Sequence, residues 1–311
     1  MSPCSSSAGA DFKTEDIPDL TGQVIIVTGG NVGLGYESIR QISSAKNPPA
    51  RIYLAARSEE KAEAAIKQLR ESNPEAAPIE FLKLDLASFA SIKEAAKTFL
   101  RSESRLDILM NNAGIMMTPE GLTEDGYEIQ FGTNTVGTAL FTQLLMPLLR
   151  QTARTNPQAR VVNLSSASEK VAPATGYDFA KLKTTMSELH TTTRYGLSKL
   201  GIVHYTFALA ERFPDVKCIC VHPGMVVTNL HHNSTGFFLR LFLFAAVPFG
   251  TPIEKGALSQ IWAAVSPDAK PGVFYGPVGL PNKGSAASQN REMQEKLWEW
   301  MQEELKEHVQ V

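Results

Sequence analysis

Residues 24–35 read Val24-Ile25-Ile26-Val27-Thr28-Gly29-Gly30-Asn31-Val32-Gly33-Leu34-Gly35. Four consecutive apolar residues predict a strand that is buried on both faces, as strands of parallel sheets are. The glycines that follow allow a tight turn into a helix, where free N–H groups and the helix dipole favour a phosphate. The stretch therefore predicts the first β-α turn of a dinucleotide-binding fold. The alternative is a strand-to-helix turn that binds nothing.

Short apolar runs alternate with helical patterns along the rest of the chain. The predicted strands are 24–28, 51–55, 79–84, 106–110, 160–164, 217–221 and 273–275. The predicted helices are 34–46, 59–72, 88–101, 124–150, 192–213, 252–266 and 288–308. Because β-α alternation imposes right-handed crossovers, we predict an α/β fold, a single Rossmann-like doubly wound parallel sheet of about seven strands with helices on both faces.

The composition favours a small-molecule partner. Lys and Arg total 30 against 32 Asp and Glu, so no net positive charge attracts nucleic acid. The small, polar start without a secretory signal predicts a disordered tail over 1–18, one Rossmann-fold domain over 19–311 and a cytoplasmic protein. The three cysteines, Cys4, Cys218 and Cys220, show neither disulfide nor metal-site spacing, and no metal is expected.

The glycine turn and the end of the fourth strand are expected to form one crevice. In the usual strand order the fourth strand neighbours the first, which brings the Asn111-Asn112-Ala113-Gly114 segment beside the turn. Small residues there leave room for a ribose, and the alternative is an ordinary Asn-Gly turn. The predicted cofactor contacts at this crevice are Thr28, Gly29, Asn31, Gly33, Leu34, Gly35, Asn112, Ala113 and Gly114.

The residue after the second strand predicts NADP(H) as the cofactor. NAD specificity usually requires a carboxylate there for the ribose 2′-hydroxyl, whereas this strand ends in Ala55-Ala56-Arg57. A guanidinium suits a 2′-phosphate, and otherwise Arg57 is a solvated surface residue. Asp85 and Leu86, at the end of the third strand, are also predicted cofactor contacts. Asp85 is predicted either to accept from the adenine amine or to cap the helix that begins near Ser88.

A tyrosine and a lysine are predicted to form a catalytic pair. Tyr195 and Lys199 are four residues apart, so they share one face of a helix. A free phenol has a pKa of about 10, and a nearby ammonium favours its phenolate, which suits a proton donor or acceptor. A chance pair on an exposed helix is the alternative. Ser166, after the fifth strand, is predicted to orient a carbonyl, and Asn134 either holds a water that links to Lys199 or is a structural hydrogen bonder.

Together these motifs resemble the short-chain dehydrogenase/reductase family. TGGNVGLG matches the family's TGxxxGxG loop, NNAG its fourth-strand motif, and Asn134, Ser166, Tyr195 and Lys199 its catalytic tetrad. The resemblance implies that Lys199 also binds the nicotinamide ribose and that the segment from His222 onward contacts the nicotinamide side, through Pro223, Gly224, Val226 and Thr228. It also implies hydride transfer between a nicotinamide and a carbonyl carbon, with Tyr195 handling the proton.

One departure from the family pattern indicates a branch. Ser166 and Tyr195 are 29 positions apart, longer than the common spacing, and the insert contains Tyr177-Asp178-Phe179. This resembles the retinol-dehydrogenase-like branch, whose substrates are often bulky and apolar. We therefore predict an NADP(H)-dependent oxidoreductase that interconverts a bulky apolar ketone or aldehyde and its alcohol. The alternatives are an NADPH-binding sensor or scaffold without turnover, and a cyclase or isomerase on the same fold.

An apolar segment after the Pro-Gly motif is predicted to cover the substrate. This lid, residues 225–250, contains four phenylalanines between 237 and 244, which suit an apolar ligand. Peripheral membrane contact through 236–250 and core packing are the alternatives. His231-His232 are expected on a polar lid surface rather than at a metal. Helices 124–150 and 192–213 are a candidate homodimer surface.

Overall fold

Seven parallel strands form one sheet in the computed structural model, which describes residues 11–226 and 251–310. The strands are β1 (Val24–Thr28), β2 (Arg51–Ala56), β3 (Ile79–Lys83), β4 (Ile108–Asn111), β5 (Arg160–Leu164), β6 (Lys217–Val221) and β7 (Phe274–Tyr275). Their order across the sheet is β3-β2-β1-β4-β5-β6-β7, and every neighbouring pair is parallel. Because β1 lies between β2 and β4, the strand order reverses there, at the predicted position of the crevice.

Helices cover both faces of this sheet. They are α1 (Gly33–Ser43), α2 (Glu59–Ser72), α3 (Phe89–Ser102), α4 (Ile129–Phe131), α5 (Thr138–Ala153), α6 (Thr191–Arg212), α7 (Ile253–Val265) and α8 (Arg291–Leu305). One apolar core joins the sheet to α1, α2 and α7, and a second joins it to α3, α5, α6 and α8. The predicted doubly wound parallel sheet is therefore confirmed. Across residues 11–226 and 251–310, none of the helices has both the length and the apolar character needed to cross a membrane.

Strand β1 shows why its apolar run lacks alternation. Val24 and Ile26 pack into the core on one face of the sheet, while Ile25 and Val27 pack into the core on the other. All four side chains are buried. Because the side chains of a strand alternate between faces, a sheet must be covered on both sides to bury all of them.

The helix predicted over 124–150 differs most from its predicted form. It begins only at Ile129 and passes through a π-helical turn, Gly132–Gly137, before α5. A Cβ on Gly137 would lie 2.1 Å from the Leu86 carbonyl oxygen, so glycine allows the helix to approach the loop after β3 this closely. The apolar period does not reveal such a turn, which often marks a functional site.

Residues 11–18 do not show the disorder predicted for the tail over 1–18. Thr14–Asp16 forms a 3-10 turn, and Thr14 Oγ1 donates a 2.7 Å hydrogen bond to Gln41 Oε1. Ile17 is buried in the core that contains α1. Leu20, just after the predicted tail, is buried in the same core.

Helix α8 packs along α6, one of the two helices proposed as a dimer surface. The rings of Tyr205 and Trp298 stack with their centroids 6.0 Å apart. Arg212 forms an ion pair with Glu295 beside them and lies over the Trp298 ring. Part of the proposed dimer surface is therefore covered within the chain.

Candidate active site

The glycine turn after β1 forms a cradle at the carboxyl edge of the sheet. Gly29 and Gly33 have φ angles of +66° and +57°, which residues with side chains rarely adopt. A Cβ on Gly35 would lie 2.4 Å from the Gly29 carbonyl oxygen. Val32, the N-cap of α1, makes no side-chain capping bond, so no side chain occupies the helix N-terminus in that role. These features fit the pyrophosphate of a dinucleotide, with Asn31 and Leu34 on the same turn.

The loop after β4 is fastened to this turn. Asn112 Nδ2 donates to the Thr28 carbonyl oxygen at 2.8 Å, and the Ala113 N–H donates to Thr28 Oγ1 at 2.9 Å. The structure thus brings the two predicted cofactor segments together. The side chains of Thr28 and Asn112 are engaged with the protein, so their visible role is to shape the crevice.

Gln260 is a part of the crevice that the sequence analysis missed. Its Nε2 approaches Asn112 Oδ1 at 3.3 Å, the Leu34 carbonyl oxygen at 3.3 Å and Ser38 Oγ at 2.7 Å. Gln260 is fully buried on α7. A glutamine among the apolar residues of predicted helix 252–266 was the available signal, because a buried amide requires partners.

Arg57 and Asp85 follow β2 and β3 at the same edge of the sheet. Arg57 is exposed, and within the described part of the chain its side chain has no hydrogen bond or ion pair. Asp85 Oδ1 accepts from the Ala87 N–H at 3.0 Å, whereas the first N–H of α3, on Phe89, donates to Asp125 at 2.8 Å. Asp85 therefore closes the loop before α3, with Leu86 buried in it, and Asp125 caps the helix.

Strand β5 and helix α6 bring the predicted catalytic side chains together. Lys199 Nζ lies 5.7 Å from the centre of the Tyr195 ring and donates to the Leu164 carbonyl oxygen at 2.9 Å. Ser166 is close enough to the Tyr195 hydroxyl to act on its pKa, and Ser166 Oγ accepts from the Ser168 N–H at 3.1 Å. Ser165 Oγ donates to the Lys199 carbonyl oxygen at 2.8 Å. Of the two serines after β5, Ser166 is therefore the one whose side chain acts on the phenol, while Ser165 bonds to the backbone of α6.

Burial controls the ionisation of the Tyr195-Lys199 pair. Desolvation raises the pKa of Tyr195 to about 12, although the Ser166 side chain acts to lower it. Desolvation also lowers the pKa of Lys199 to about 8. Burial therefore outweighs the lowering that the nearby ammonium was expected to produce, and the net shift of the phenol pKa is upward. At neutral pH the phenol is neutral and the lysine is charged.

Asn134 lies beside Gly114 in the π-helical turn. Its Oδ1 accepts from the Ile115 N–H at 2.8 Å, and its Nδ2 donates to the Ile115 carbonyl oxygen and to Ser198 Oγ, both at 2.9 Å. A Cβ on Gly114 would lie 3.1 Å from Asn134 Oδ1 and 3.5 Å from Lys199 Nζ. Asn134 thus makes structural hydrogen bonds, which was the second of its two predicted roles. Its link to Lys199 through a water stays a prediction.

The Pro-Gly loop continues from β6 at the same edge. Gly224 has a φ of +87°, and its N–H donates to His222 Nδ1 at 3.1 Å. Pro223 and Val226 are half-buried, and Val226 pairs with Thr251 across a parallel β-bridge. The residues that the structure describes contain no cluster of three His, Cys, Asp or Glu suited to a metal ion. Outside the described residues lie Thr228, His231, His232, the 236–250 segment and most of the predicted lid.

Comparison with known proteins identifies the family. The family model described as short chain dehydrogenase matches residues 23–236. The chain belongs to the short-chain dehydrogenase/reductase family. A short-chain dehydrogenase/reductase of Armillaria gallica is 38% identical, over 96% of this chain and 94% of its own. Retinol dehydrogenase 12 of Mus musculus is 34% identical, over 90% and 85%. The crystal structure of an uncharacterized protein from Mycobacterium paratuberculosis matches with a TM-score of 0.73 at 25% identity, over 96% and 98%.

Short-chain dehydrogenase/reductases are nicotinamide-dependent oxidoreductases of small carbonyl or alcohol compounds, and this member has a retinol-dehydrogenase-like character. The predicted family and branch are confirmed.

The insert between β5 and α6 is anchored on α6 through Tyr177, whose hydroxyl lies 2.8 Å from His204 Nδ1. Because His204 Nε2 must donate to the Ala287 carbonyl oxygen, at 2.9 Å, Nδ1 accepts from Tyr177.

Proposed function

We propose that this protein catalyses the NADPH-dependent reduction of a bulky apolar ketone or aldehyde, or the reverse oxidation of its alcohol. The observation that carries the proposal is the convergence of Tyr195, Lys199 and Ser166 beside Gly114, at the edge where the glycine turn opens. A binding module would use the cradle, but it would have no need for a phenol, an ammonium and a hydroxyl at one place.

Ser166 and Tyr195 act on the carbonyl oxygen in the proposed reaction. The reduced nicotinamide, when bound, supplies a hydride to the carbonyl carbon. Ser166 donates a hydrogen bond to the carbonyl oxygen and orients it towards the Tyr195 hydroxyl. Tyr195 gives its proton to that oxygen as negative charge develops, and the raised pKa keeps the phenol protonated for this step. In the oxidation direction the Tyr195 phenolate accepts the proton.

Lys199 supports Tyr195 and holds the cofactor. Its positive charge stabilises the Tyr195 phenolate that remains after proton transfer. Of the three donors of the ammonium, one is used on the Leu164 carbonyl oxygen. The others are available for the ribose hydroxyls of the nicotinamide half, next to Gly114.

The preference for NADPH rests on Arg57. Its guanidinium stands one residue beyond β2, exposed and without a partner in the described residues, where the 2′ position of the adenosine ribose is expected. A guanidinium binds a phosphate through two parallel charge-assisted hydrogen bonds, which a ribose hydroxyl does not provide. Strand β2 ends in Ala55 and Ala56, so it offers no carboxylate to bind that hydroxyl.

Exposed apolar side chains that are close in sequence to site residues support an apolar substrate. Val171, five residues after Ser166, is 50% exposed, and Met225, directly after Gly224, is 62% exposed. Exposed apolar side chains that flank a crevice are typical of a site for an apolar ligand. The similarity to a relative named retinol dehydrogenase agrees with this class.

The test is to incubate the protein with NADPH or NADH and a panel of bulky apolar ketones and aldehydes. The loss of NADPH absorbance and the mass of the product are measured together. A product heavier than the substrate by two hydrogens, formed as NADPH is consumed, is the expected result. NADPH binding without consumption would support a sensor or scaffold, and a product of unchanged mass would support an isomerase or cyclase.

A further inference from the structure

Gln130 is a second buried amide side chain, and it lies one helical turn before Asn134. Gln130 precedes Asn134 by four residues, so the two side chains extend from the same side of this helical segment. Gln130 is 0% exposed and Asn134 is 2% exposed. Both stand between α6 and the loop of residues 115–118, which follows Gly114.

Gln130 joins the same two elements as Asn134. Its Oε1 accepts from the Met117 N–H at 2.7 Å, as Asn134 Oδ1 accepts from Ile115. Its Nε2 donates to the Thr191 carbonyl oxygen at 3.1 Å and to Thr191 Oγ1 at 3.3 Å, as Asn134 Nδ2 donates to Ser198. Two amides thus tie the 115–118 loop to the helix that carries Tyr195, one on each side of the tyrosine along the chain.

Thr191 closes the contact around Gln130. Its Oγ1 donates to the Thr118 carbonyl oxygen at 2.9 Å while it accepts from Gln130. Met117 has a φ of +51°, in the left-handed region that residues with side chains seldom adopt. Such a conformation persists where surrounding contacts enforce it. The hydrogen bond from Met117 to Gln130 is one such contact.

The 115–118 loop directly continues the segment that lies beside the reacting groups. The chain passes from the glycine turn, which Ala113 contacts, to Gly114 beside Lys199, and then into this loop. Its residues are half-buried, as expected for the wall of a crevice. A movement of the loop by about 1 Å would change the position of a bound carbonyl relative to Tyr195.

We propose that Gln130 is a positioning residue for the reaction. It fixes the 115–118 loop against the first turn of α6 and so sets the distance between the bound carbonyl and the Tyr195 hydroxyl. This inference rests on the proposed carbonyl reduction. We expect Gln130 to affect the carbonyl substrate and not the cofactor. Its contact in the loop is with Met117, and Gly114 separates the 115–118 loop from Ala113, which contacts the glycine turn.

The kinetic test compares Gln130→Leu with Gln294→Leu. Gln294 is also buried, on α8, and its Nε2 has no hydrogen-bond partner in the described residues, so Gln294→Leu controls for placing a leucine at a buried glutamine position without breaking the contacts of the loop. For Gln130→Leu we expect kcat/KM for the carbonyl substrate to fall by about 10- to 100-fold per folded molecule, while the Kd for NADPH changes less than about twofold. Gln294→Leu should keep the wild-type kcat/KM. An unchanged kcat/KM in Gln130→Leu, or a parallel loss of NADPH binding, would overturn the proposal.

Thr191 provides a conservative pair of variants. Thr191→Ser retains the hydroxyl that accepts from Gln130, and Thr191→Val removes it. We expect Thr191→Ser to keep kcat/KM within about twofold and Thr191→Val to lower it. The combined loss in Thr191→Val with Gln130→Leu should be smaller than the sum of the two single losses, because both variants remove the contact between Gln130 Nε2 and Thr191 Oγ1. Fully additive losses of kcat/KM would contradict the shared contact between Gln130 and Thr191.

Amide hydrogen exchange tests the contacts of Gln130 with Met117 and Thr191 without any substrate. In Gln130→Leu the Met117 amide should exchange at least about tenfold faster than in the wild type, while the Ile115 amide, held by Asn134, keeps its protection. An equal exchange rate of the Met117 amide in both proteins would contradict the hydrogen bond between Met117 and Gln130. If the wild type showed no turnover with any carbonyl, the proposed function would fail, and the positioning role that rests on it would fail as well, whereas faster exchange would still establish the contact.

Discussion

The ammonium nitrogen of Lys199 lies 5.7 Å from the centre of the Tyr195 ring, and both side chains are buried at the carboxyl edge of the sheet. Burial favours the neutral form of each group, which puts the phenol pKa at about 12 and the lysine pKa at about 8. At neutral pH the pair is a protonated acid beside a cation. This state suits the donation of a proton to a reduced carbonyl oxygen.

The pH dependence of the reduction should follow Lys199. Its pKa is lowered to about 8, so the charge that stabilises the phenolate is present below that pH and is lost above it. We expect kcat/KM for NADPH, which reports the free protein, to fall about tenfold per pH unit above about pH 8. Steady-state kinetics from pH 6 to 10 measure this. The Lys199→Arg variant keeps its charge, so any activity it retains should lack this decline, and a flat wild-type profile to pH 10 would refute the assignment.

Arg57→Ala should weaken NADPH binding selectively. The loss of charge-assisted hydrogen bonds to the 2′-phosphate is worth about 1.5–3 kcal/mol, or roughly 10- to 100-fold in Kd, whereas NADH has no phosphate there. Fluorescence titration with both cofactors measures the two Kd values. Arg101→Ala removes an exposed arginine at the end of α3 and serves as the control. Equal losses for NADPH and NADH in Arg57→Ala would count against a phosphate contact.

Gly35→Ala should abolish cofactor binding by forcing the glycine turn open. The new Cβ would lie 2.4 Å from the Gly29 carbonyl oxygen and 2.5 Å from Asn112 Nδ2, so both cofactor segments would have to move. Gly121→Ala is a matched control, because the nearest atom to its Cβ would be 3.8 Å away. NADPH affinity is measured for both variants alongside thermal unfolding. Wild-type affinity in Gly35→Ala would show that the cofactor does not depend on this turn.

Removing one partner of the buried ion pair next to Tyr195 should lower the stability of the protein. Arg194 Nη1 lies 3.0 Å from Glu128 Oε1, with the two side chains 3% and 0% exposed. Arg194→Leu leaves a buried carboxylate unpaired and should lower the free energy of unfolding by about 3–5 kcal/mol in urea titrations. Adding Glu128→Gln removes that charge and keeps an acceptor for the Phe131 N–H, so the double variant should regain most of the loss.

An exposed ion pair provides the comparison for this cost. Lys296 and Glu292 are paired on α8, with 59% and 75% of their side chains exposed. Lys296→Leu should change the free energy of unfolding by less than about 1 kcal/mol, because solvent screens the pair. A similar loss in Lys296→Leu and Arg194→Leu, or a double variant less stable than Arg194→Leu, would contradict the account of the buried pair.

The sheet was predictable from sequence because burial on both faces leaves continuous apolar runs. The runs at β1, β5 and β6 end at the residues where the strands end, and the glycine turn after β1 has its own sequence signature. The catalytic pair was predictable for a similar reason, since a spacing of four residues on a helix brings Tyr195 and Lys199 to one face. Local pattern alone was sufficient for these features.

Features that depend on contacts between distant segments were missed. The start of α4 and its π-helical turn depend on how closely Gly137 approaches Leu86, which no periodicity reveals. The direction of the Tyr195 pKa shift depends on total burial, and the spacing to Lys199 carries no information about it. Gln260 and Gln130 act through partners between 13 and 226 positions away, so their roles required the folded chain.

The most direct test of the central claim is the turnover of Tyr195→Phe with a carbonyl that the wild type reduces. Phenylalanine keeps the ring and removes only the hydroxyl that is proposed to donate the proton. We predict a loss of about 10²- to 10⁴-fold in kcat, with the Kd for NADPH within about twofold of the wild type. Turnover within tenfold of the wild type would contradict the account, because the proton would then come from another group.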